Sequence, residues 1–463
     1  MNRFVLVLLA AMPVFGEDAW TRFRGPNGTG VSTESGFPVR FDRETNLVWR
    51  TPVRAGKSSP VVTAKHVFLT THSGEELFTE CYDRATGRQL WARAVPRVHH
   101  DLANKLNSPA GITPVTDGDR VYSFFKDFGM AAYDAAGKEL WRAPLGPFVT
   151  SMGLGASPIL AGNNVVVVAD QLEGSFIAAF DRANGELRWK TARDEAEGWG
   201  TPLFYESGGV PYVLTASRGV FGAHRSADGK RAVTWRGLSS AIVSSPAFDG
   251  ENMFSFGYGS DAPAPFSRTL ARYDKNGDGK LQPEEYGDDP FVHGIARHSG
   301  NRDLVVTEDE WDAKQREVGG PTFLVAFHLE ADGEAKAPFR ARELWKVDRG
   351  FNHVIPSPLA YHGTLYVVKN GGILTAYDAA TGKVIKAGRV DGAIGGFSAS
   401  PVAAEGRVYL ANEDGKIAVL EGGGEWRVTQ VNDLDEGIYA TPALAGGAIY
   451  IRTTEALYRF ETK

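Results

Sequence analysis

Asp274, Asn276, Asp278, Lys280, Gln282 and Glu285 stand at positions 1, 3, 5, 7, 9 and 12 of the segment Asp274-Lys275-Asn276-Gly277-Asp278-Gly279-Lys280-Leu281-Gln282-Pro283-Glu284-Glu285. The first three offer side-chain oxygens, Lys280 its carbonyl, Gln282 an amide, and Glu285 a carboxylate that can bind through both oxygens. Gly279 at position 6 permits the sharp turn such a wrap requires. A hard cation that takes six to eight oxygens needs donors in this order, and Ca²⁺ is that cation. Leu270 and Tyr273, three residues apart just before the loop, have the spacing of an entering helix.

Loops of this EF-hand type come in pairs, and a second candidate follows. Ser299, Asn301, Asp303, Thr307 and Glu310 fall at positions 1, 3, 5, 9 and 12, with Trp311 next. Leu304 replaces the glycine at position 6 and Ser299 the first Asp, leaving two carboxylates. The pair reads as one full site and a degenerate partner, with Val306 paired to Leu281 across a short ribbon. Exported modules commonly bind Ca²⁺ at ~10⁻⁴–10⁻³ M, so a structural role is expected rather than sensing.

Other chemistry is sparser. His99-His100-Asp101 and Asn352-His353 read as solvated loop residues, because no third metal ligand follows at a useful spacing. There is no G-x-S-x-G, phosphate loop or H-E-x-x-H. Gly25 to Gly30 lack the preceding strand and following helix of a nucleotide fingerprint. No catalytic residue is assigned.

The elements that must carry these residues repeat. Ser/Thr-Pro pairs precede apolar runs at Pro60, Pro114, Pro158, Pro202, Pro246, Pro358, Pro401 and Pro442, at spacings of 54, 44, 44, 44, 112, 43 and 41. After each proline come an apolar stretch, a polar turn, a β-branched or aromatic run, and a second turn, usually D-x-x-T/N-G. These second turns are Asp83 to Gly87, Asp134 to Gly137, Asp181 to Gly185, Ala227 to Gly229, Ala331 to Gly333 and Asp378 to Gly382. Four short strands in about 44 residues match one blade of a β-propeller. Trp91, Trp141, Trp189, Trp235, Trp345 and Trp426 mark the outer strand of their units, with Ile385-Lys386 in the sixth. The eighth unit ends at Phe460 without an outer strand, and Asn46 to Trp49 supplies it from upstream. The expected fold is therefore all-β, an eight-bladed propeller closed by pairing its N- and C-terminal strands. A small α-helical EF-hand insertion sits in blade 5.

These residues resemble the PQQ-type propeller repeat, "ALDAxTGKxLW", in "TAYDAATGKVI" (375 to 385), "AAYDAAGKELW" (131 to 141) and "AAFDRANGELRW" (178 to 189). "WTRFRGPNGTG" (20 to 30) is similar to the opening of secreted bacterial propellers of this type. The resemblance implies either of two groups. One is the quinoprotein alcohol dehydrogenases, which hold pyrroloquinoline quinone between a tryptophan and a disulfide of adjacent cysteines. The other is the cofactor-free propellers similar to the assembly lipoprotein of the outer-membrane β-barrel machinery.

The 463 residues hold one cysteine, Cys81, so that disulfide cannot form. With 50 Lys+Arg against 56 Asp+Glu, a formal charge of −6 and no basic run, a nucleic-acid partner is not expected. About 12 % glycine, from 54 residues, fits a chain built of turns. Residues 1–16 read as a signal peptide: Arg3, then an apolar run too short to span a bilayer. No cysteine follows that run, so no lipid anchor is expected. Residues 17–45 read as an N-terminal extension, 46–463 as the propeller and 260–319 as the insertion. The expected protein is exported to the periplasm or beyond, monomeric and non-catalytic. It binds Ca²⁺ rather than pyrroloquinoline quinone and serves as a scaffold for a protein, small-molecule or glycan ligand, in cell-envelope assembly. A quinoprotein dehydrogenase is the alternative. If the loops before the Ser/Thr-Pro pairs share one face, the binding candidates of the scaffold are Lys57, His100, Asn107, Trp199, Asn352 and His353, with Phe397 and Tyr439.

Overall fold

Each apolar run after a Ser/Thr-Pro pair becomes the innermost strand of a sheet. In the computed structural model, residues 19–100, 107–150, 152–195, 197–239, 242–257, 265–287, 289–298, 300–318, 322–330, 338–348, 351 and 354–463 are described. The inner strands begin one residue after each proline: Val61–Val62, Val115–Thr116, Ile159–Ala161, Leu203–Ser207, Ala247–Phe248, Leu359–Tyr361, Val402–Ala404 and Ala443–Ala445. Proline has no N–H for a ladder, so it fits just ahead of a strand and not within it. Eight four-stranded antiparallel sheets result, seven in simple sequence order. In the eighth, Leu47–Pro52 pairs with Ala456–Glu461, so the ring closes without a free sheet edge between first and last blades.

The Ser/Thr of each pair has a separate task at the axis. The Ser59 N–H donates to Thr113 Oγ1 (2.9 Å), Thr113 to Ser157 Oγ (3.2 Å) and Ser157 to Thr201 Oγ1 (3.0 Å). Thr201 then donates to Ser245 Oγ (2.9 Å), Ser245 to Ser357 (3.0 Å), and Ser357 to Ser400 (3.0 Å). Ser400 donates to Thr441 Oγ1 and Thr441 back to Ser59 Oγ, both at 3.0 Å. Eight buried amides are thus satisfied by eight buried hydroxyls in a closed belt, which removes the cost of leaving them unpaired.

At the rim the tryptophans join neighbouring blades. Trp49, Trp91, Trp141, Trp189 and Trp345 donate their indole N–H to a backbone carbonyl at the next blade's turn, that of Arg84, Ala135, Arg182, Ser226 and Ala379, at 2.9–3.2 Å. Two tryptophans depart from the expected pattern. In blade 4 the equivalent position opposite Ala223 is Val233. Trp235 lies two residues on and packs against Phe327 at 4.9 Å. Trp426 precedes the strand Arg427–Asp433. There it receives Lys386, whose Nζ lies 4.4 Å over its ring and donates to its carbonyl at 2.7 Å. Lys386 occupies the docking position in blade 6, so the cation–π contact replaces the indole.

The N-terminal extension crosses the ring at the far ends of the inner strands. Trp20 and Val62 exchange two backbone bonds at 2.8 Å, Thr116 donates to Thr21 O, and Ala403 to Gly30 O. Arg22 reaches Pro202 O at 2.6 Å and Arg24 reaches Pro358 O at 2.5 Å. Both guanidinium groups are fully buried. Burial, and for Arg22 also the charge of Arg24, brings each down to about 9. The 1–16 segment read as a signal peptide lies outside the described residues.

The insertion falls between the strands Asn252–Phe256 and Leu324–Glu330 of blade 5. It comprises α1 (Phe266–Tyr273), α2 (Pro283–Tyr286), α3 (Pro290–His298) and α4 (Glu308–Val318). It buries its own core of Phe266, Leu281, Tyr286, Val292, Ile295, Val306 and Trp311. Leu281 and Val306 exchange backbone bonds at 3.0 and 2.9 Å.

Candidate functional site

The loops that precede the Ser/Thr-Pro pairs gather on one face, and a cavity of about 400 Å³ opens there between blades 8, 1 and 2. Lys57 lies three residues before Pro60 and Tyr439 three before Pro442, so the repeat gives them equivalent places on adjacent blades. Lys57 Nζ sits 4.1 Å over the Tyr439 ring. Asn107 enters from blade 2, fixed by its Nδ2 donating to Met152 O at 2.6 Å. Its Oδ1 accepts from the Ser108 N–H at 2.8 Å. Thr453 and Thr454 complete the wall from blade 8.

The floor includes two groups that no motif had marked. Arg452 ends the apolar strand Ala448–Arg452 and is only 1 % exposed. Its Nη1 donates to Ser58 O (3.1 Å), Ser58 Oγ (2.7 Å) and Thr70 O (2.9 Å), and its Nη2 to Arg54 O (3.2 Å). Its Nε–H has no partner. Burial lowers Arg452 to about 10. His72 is held below the usual histidine range, by burial first and then by Arg97 and Arg452. Glu80 acts on Arg452 through space, but Arg54 and the Tyr82 hydroxyl already occupy its oxygens. The described residues lining the cavity include Lys57, His72 and Arg452 and no carboxylate.

The remaining sequence candidates divide. Trp199 is half-buried beside this region; its indole donates to Gly153 O at 2.7 Å. Asn107 and Trp199 therefore hold consecutive residues of one blade 3 loop. His100 is instead exposed and bonded to Glu75 Oε2 at 2.7 Å, outside the cavity. Phe397 is fully buried in the core beside Ala393 and Val390 and does not serve as a surface ligand group. Its side chain is apolar, and the closed ring leaves it no solvent-facing side. Asn352 and His353 lie outside the described residues.

The acidic loop is folded around its own side chains. Asp274 accepts from the N–H of Gly277 (2.7 Å) and Gly279 (3.1 Å), and Asp278 from Lys280 (2.9 Å). Asn276 Oδ1 accepts from the Asp278 N–H at 2.8 Å. Gln282 Nε2 crosses to Asp278 Oδ2 at 2.6 Å. Glu285 reaches back to the Lys275 and Gln282 amides at 2.9 and 3.1 Å. Among the described residues no group of three or more His, Cys, Asp or Glu is gathered as a metal centre would be. The carboxylates here face amides, while the order of donors around the loop is the one the sequence sets. The second loop has the same arrangement from Asn301 on, with Glu310 reaching the Asn301 and Thr307 amides, both at 3.0 Å. At its sixth position Leu304 takes φ +69°, close to the +76° of Gly279, so the turn is kept at some strain. Ser299 lies outside the described residues. Arg302 pairs with Glu173 of blade 3, so the insertion leans over the face that carries the cavity.

The disulfide of adjacent cysteines that marks the quinoprotein group cannot form in this chain. Cys81 is free, buried, and paired with Trp91 across the strands of blade 1. Burial pushes its thiol up to about 12. It has no second cysteine with which to form a platform opposite a tryptophan.

The number of sheets, their order and their closure define an eight-bladed β-propeller of the PQQ-repeat type. A family model described as outer membrane protein assembly factor BamB matches residues 27–171, 76–231 and 337–458. The chain belongs to this family. Among solved structures, BamB from Moraxella catarrhalis aligns at TM-score 0.56 and 12 % identity, covering 90 % of this chain and 99 % of that one. A europium-containing methanol dehydrogenase aligns at 0.60 and 11 %, covering 96 % and 98 %. The computationally designed Ika8 protein aligns at 0.55 and 14 %, covering 90 % and 99 %. At these identities the likeness is one of fold. No curated protein sequence matches significantly. No helix among the described residues is long and apolar enough to cross a membrane.

Proposed function

We propose that the protein is an exported, non-catalytic, calcium-binding propeller that acts as a scaffold for a protein or small-molecule ligand in cell-envelope assembly. The observation that carries the reading is the convergence of Lys57, Asn107 and Tyr439 on one cavity at the seam of blades 8, 1 and 2. Fixed polar groups around an aromatic ring are what a binding site needs for orientation and area together. Membership of the BamB family supports a scaffold role. The single cysteine argues against the quinone chemistry of the other group. The donor order of the 274–285 loop supports one Ca²⁺.

The test combines two measurements on the mature protein. A thermal-shift screen against glycans, organic acids and short peptides is run with the native chain and with Tyr439→Ala. A ligand whose stabilisation disappears in the variant supports the reading. Dye-coupled alcohol oxidation in the presence of pyrroloquinoline quinone and Ca²⁺ would overturn it.

A further inference from the structure

A single apolar side chain in water needs no explanation, but a rigid loop that holds one up beside carboxylates without a cation does. Blade 6 has such a loop on the face that also carries the cavity. Ile394, 57 % exposed, is the most exposed large apolar side chain among the described residues, and Ile373 is 36 % exposed. The loop is fixed from both sides. Gly371 N–H donates to Gly395 O (2.7 Å), Glu413 N–H to Gly396 O (2.8 Å) and Asn412 Nδ2 to Ile394 O (3.1 Å). Gly372, next to Ile373, packs so closely that a Cβ there would lie 3.2 Å from Ile394 Cα. Ala393 is buried and residues 392, 395 and 396 are glycine, so Ile394 alone projects from this stretch. The space of a Cβ on Gly395 is taken by Asp414 Oδ2, and that on Gly396 by the Glu413 carboxyl group. Glu413 accepts from Ser398 Oγ at 2.5 Å. Among the described residues Glu413, Asp414 and the nearby Asp391 form no ion pair. Lys416 is committed to Asp433, and Arg389 donates to Gly371 O.

We infer that this corner of blades 6 and 7 is a docking surface for a partner protein's segment that carries an aliphatic side chain beside a Lys or Arg. The aliphatic group packs on Ile394 and Ile373, and the cation meets Asp414 and Glu413. Charge selects this occupant over two others. A second copy, related by a two-fold axis, would set the patch against itself and so carboxylate against carboxylate. An anionic bilayer surface is repelled by the same groups. The fixed loop favours affinity, because little has to be ordered on binding. The surface lies away from the cavity at blades 8, 1 and 2, so the inference goes beyond the ligand-binding reading and either can fail alone.

Fluorescence anisotropy of the full mature chain with three labelled peptides tests it: alternating Leu and Lys, alternating Leu and Glu, and alternating Ser and Lys. The Leu/Lys peptide binds at least about tenfold more tightly than either of the others. Ile394→Ser, a change at an exposed position, weakens it about tenfold or more, the loss expected for an aliphatic anchor. Asp414→Asn weakens it and flattens its dependence on NaCl, as removing a charge contact does. Tyr439→Ala leaves its Kd unchanged. No binding of the Leu/Lys peptide, equal binding of the Ser/Lys peptide, or an unchanged Kd in Ile394→Ser overturns the assignment. A Kd that rises in Tyr439→Ala also overturns it, because the peptide then occupies the cavity. So does a dimer seen by sedimentation, or binding to phosphatidylglycerol vesicles, that is lost in Ile394→Ser, since a second copy or a membrane is then the occupant.

Discussion

Thr441 donates its backbone N–H to Ser59 Oγ at 3.0 Å, joining residues 382 apart in the chain. With the rim pairing of Leu47–Pro52 and Ala456–Glu461, the last blade is tied to the first at both radii. The axial belt is held by polar bonds and the rim by a ladder, so a defect at either radius acts on the whole ring.

Thr113→Val tests the belt. Valine keeps the shape but offers no acceptor, so the buried Ser59 N–H loses its partner. The expected destabilisation is about 1–3 kcal/mol, read from urea unfolding, with Thr113→Ser close to native. Equal stability of the two variants would show that the belt contributes nothing.

The indole dock is tested at Gly137, whose φ is +81° and where an added Cβ would lie 2.6 Å from Trp91 Cγ. Gly137→Ala combines backbone strain with overpacking and should cost about 2–4 kcal/mol. Gly118→Ala, in an open turn with no atom within 4 Å of the new Cβ, should retain more stability, because it has the strain without the clash.

Titrating Ca²⁺ into the mature protein should show one strong site with Kd on the order of 10⁻⁴–10⁻³ M. Glu285→Ala removes it, whereas Glu310→Ala in the degenerate loop leaves it. Calorimetry that finds the same site in Glu285→Ala would exclude the assignment to residues 274–285.

His224 sets a pH dependence. It is fully buried, accepts from Arg193 Nη1 on Nε2 at 3.0 Å, and lies 3.2 Å from Gly229 O through Nδ1. Burial, then Arg193 and Arg231, brings it down to about 3. Its folded value is below the unfolded value of about 6.5, so acid protonates the unfolded chain first. This contribution to stability is complete above about pH 6.5 and is lost as pH falls towards 3. His66 and His72 are shifted in the same direction. The Tm at pH 5 should fall below that at pH 7.5, and His224→Gln, which can keep both hydrogen bonds, should reduce the difference. An identical pH slope in the variant would rule out His224 as its source.

Much of the architecture can be read from local features. Proline before a strand, glycine ending a turn and an apolar run of β-branched residues each restrict the backbone within a few residues, so eight units and their closure follow from the order of residues. The docking tryptophans were less fully legible. Trp235 stands two residues beyond the place set by its turn glycine Gly229, so Val233 falls opposite Ala223, and Trp426 lies ahead of its strand, which starts at Arg427. The same local reading singled out Lys57, Asn107 and Tyr439 by position and missed Arg452, because an arginine at the end of an apolar strand carries no pattern. His100 and Phe397 had suitable side chains, yet one is bonded outward to Glu75 and the other is enclosed by the core.

The sequence by itself determined the blade, its repetition and the order of donors in the acidic loop, since these depend on neighbours along the chain. The tertiary structure alone decided that Arg452 meets Ser58 across 394 residues and that three prolines become acceptors for Arg22 and Arg24. The Arg452 contact exists only when closure brings the first and last blades together, and those of Arg22 and Arg24 only when the N-terminal extension crosses the assembled blades 4 to 6.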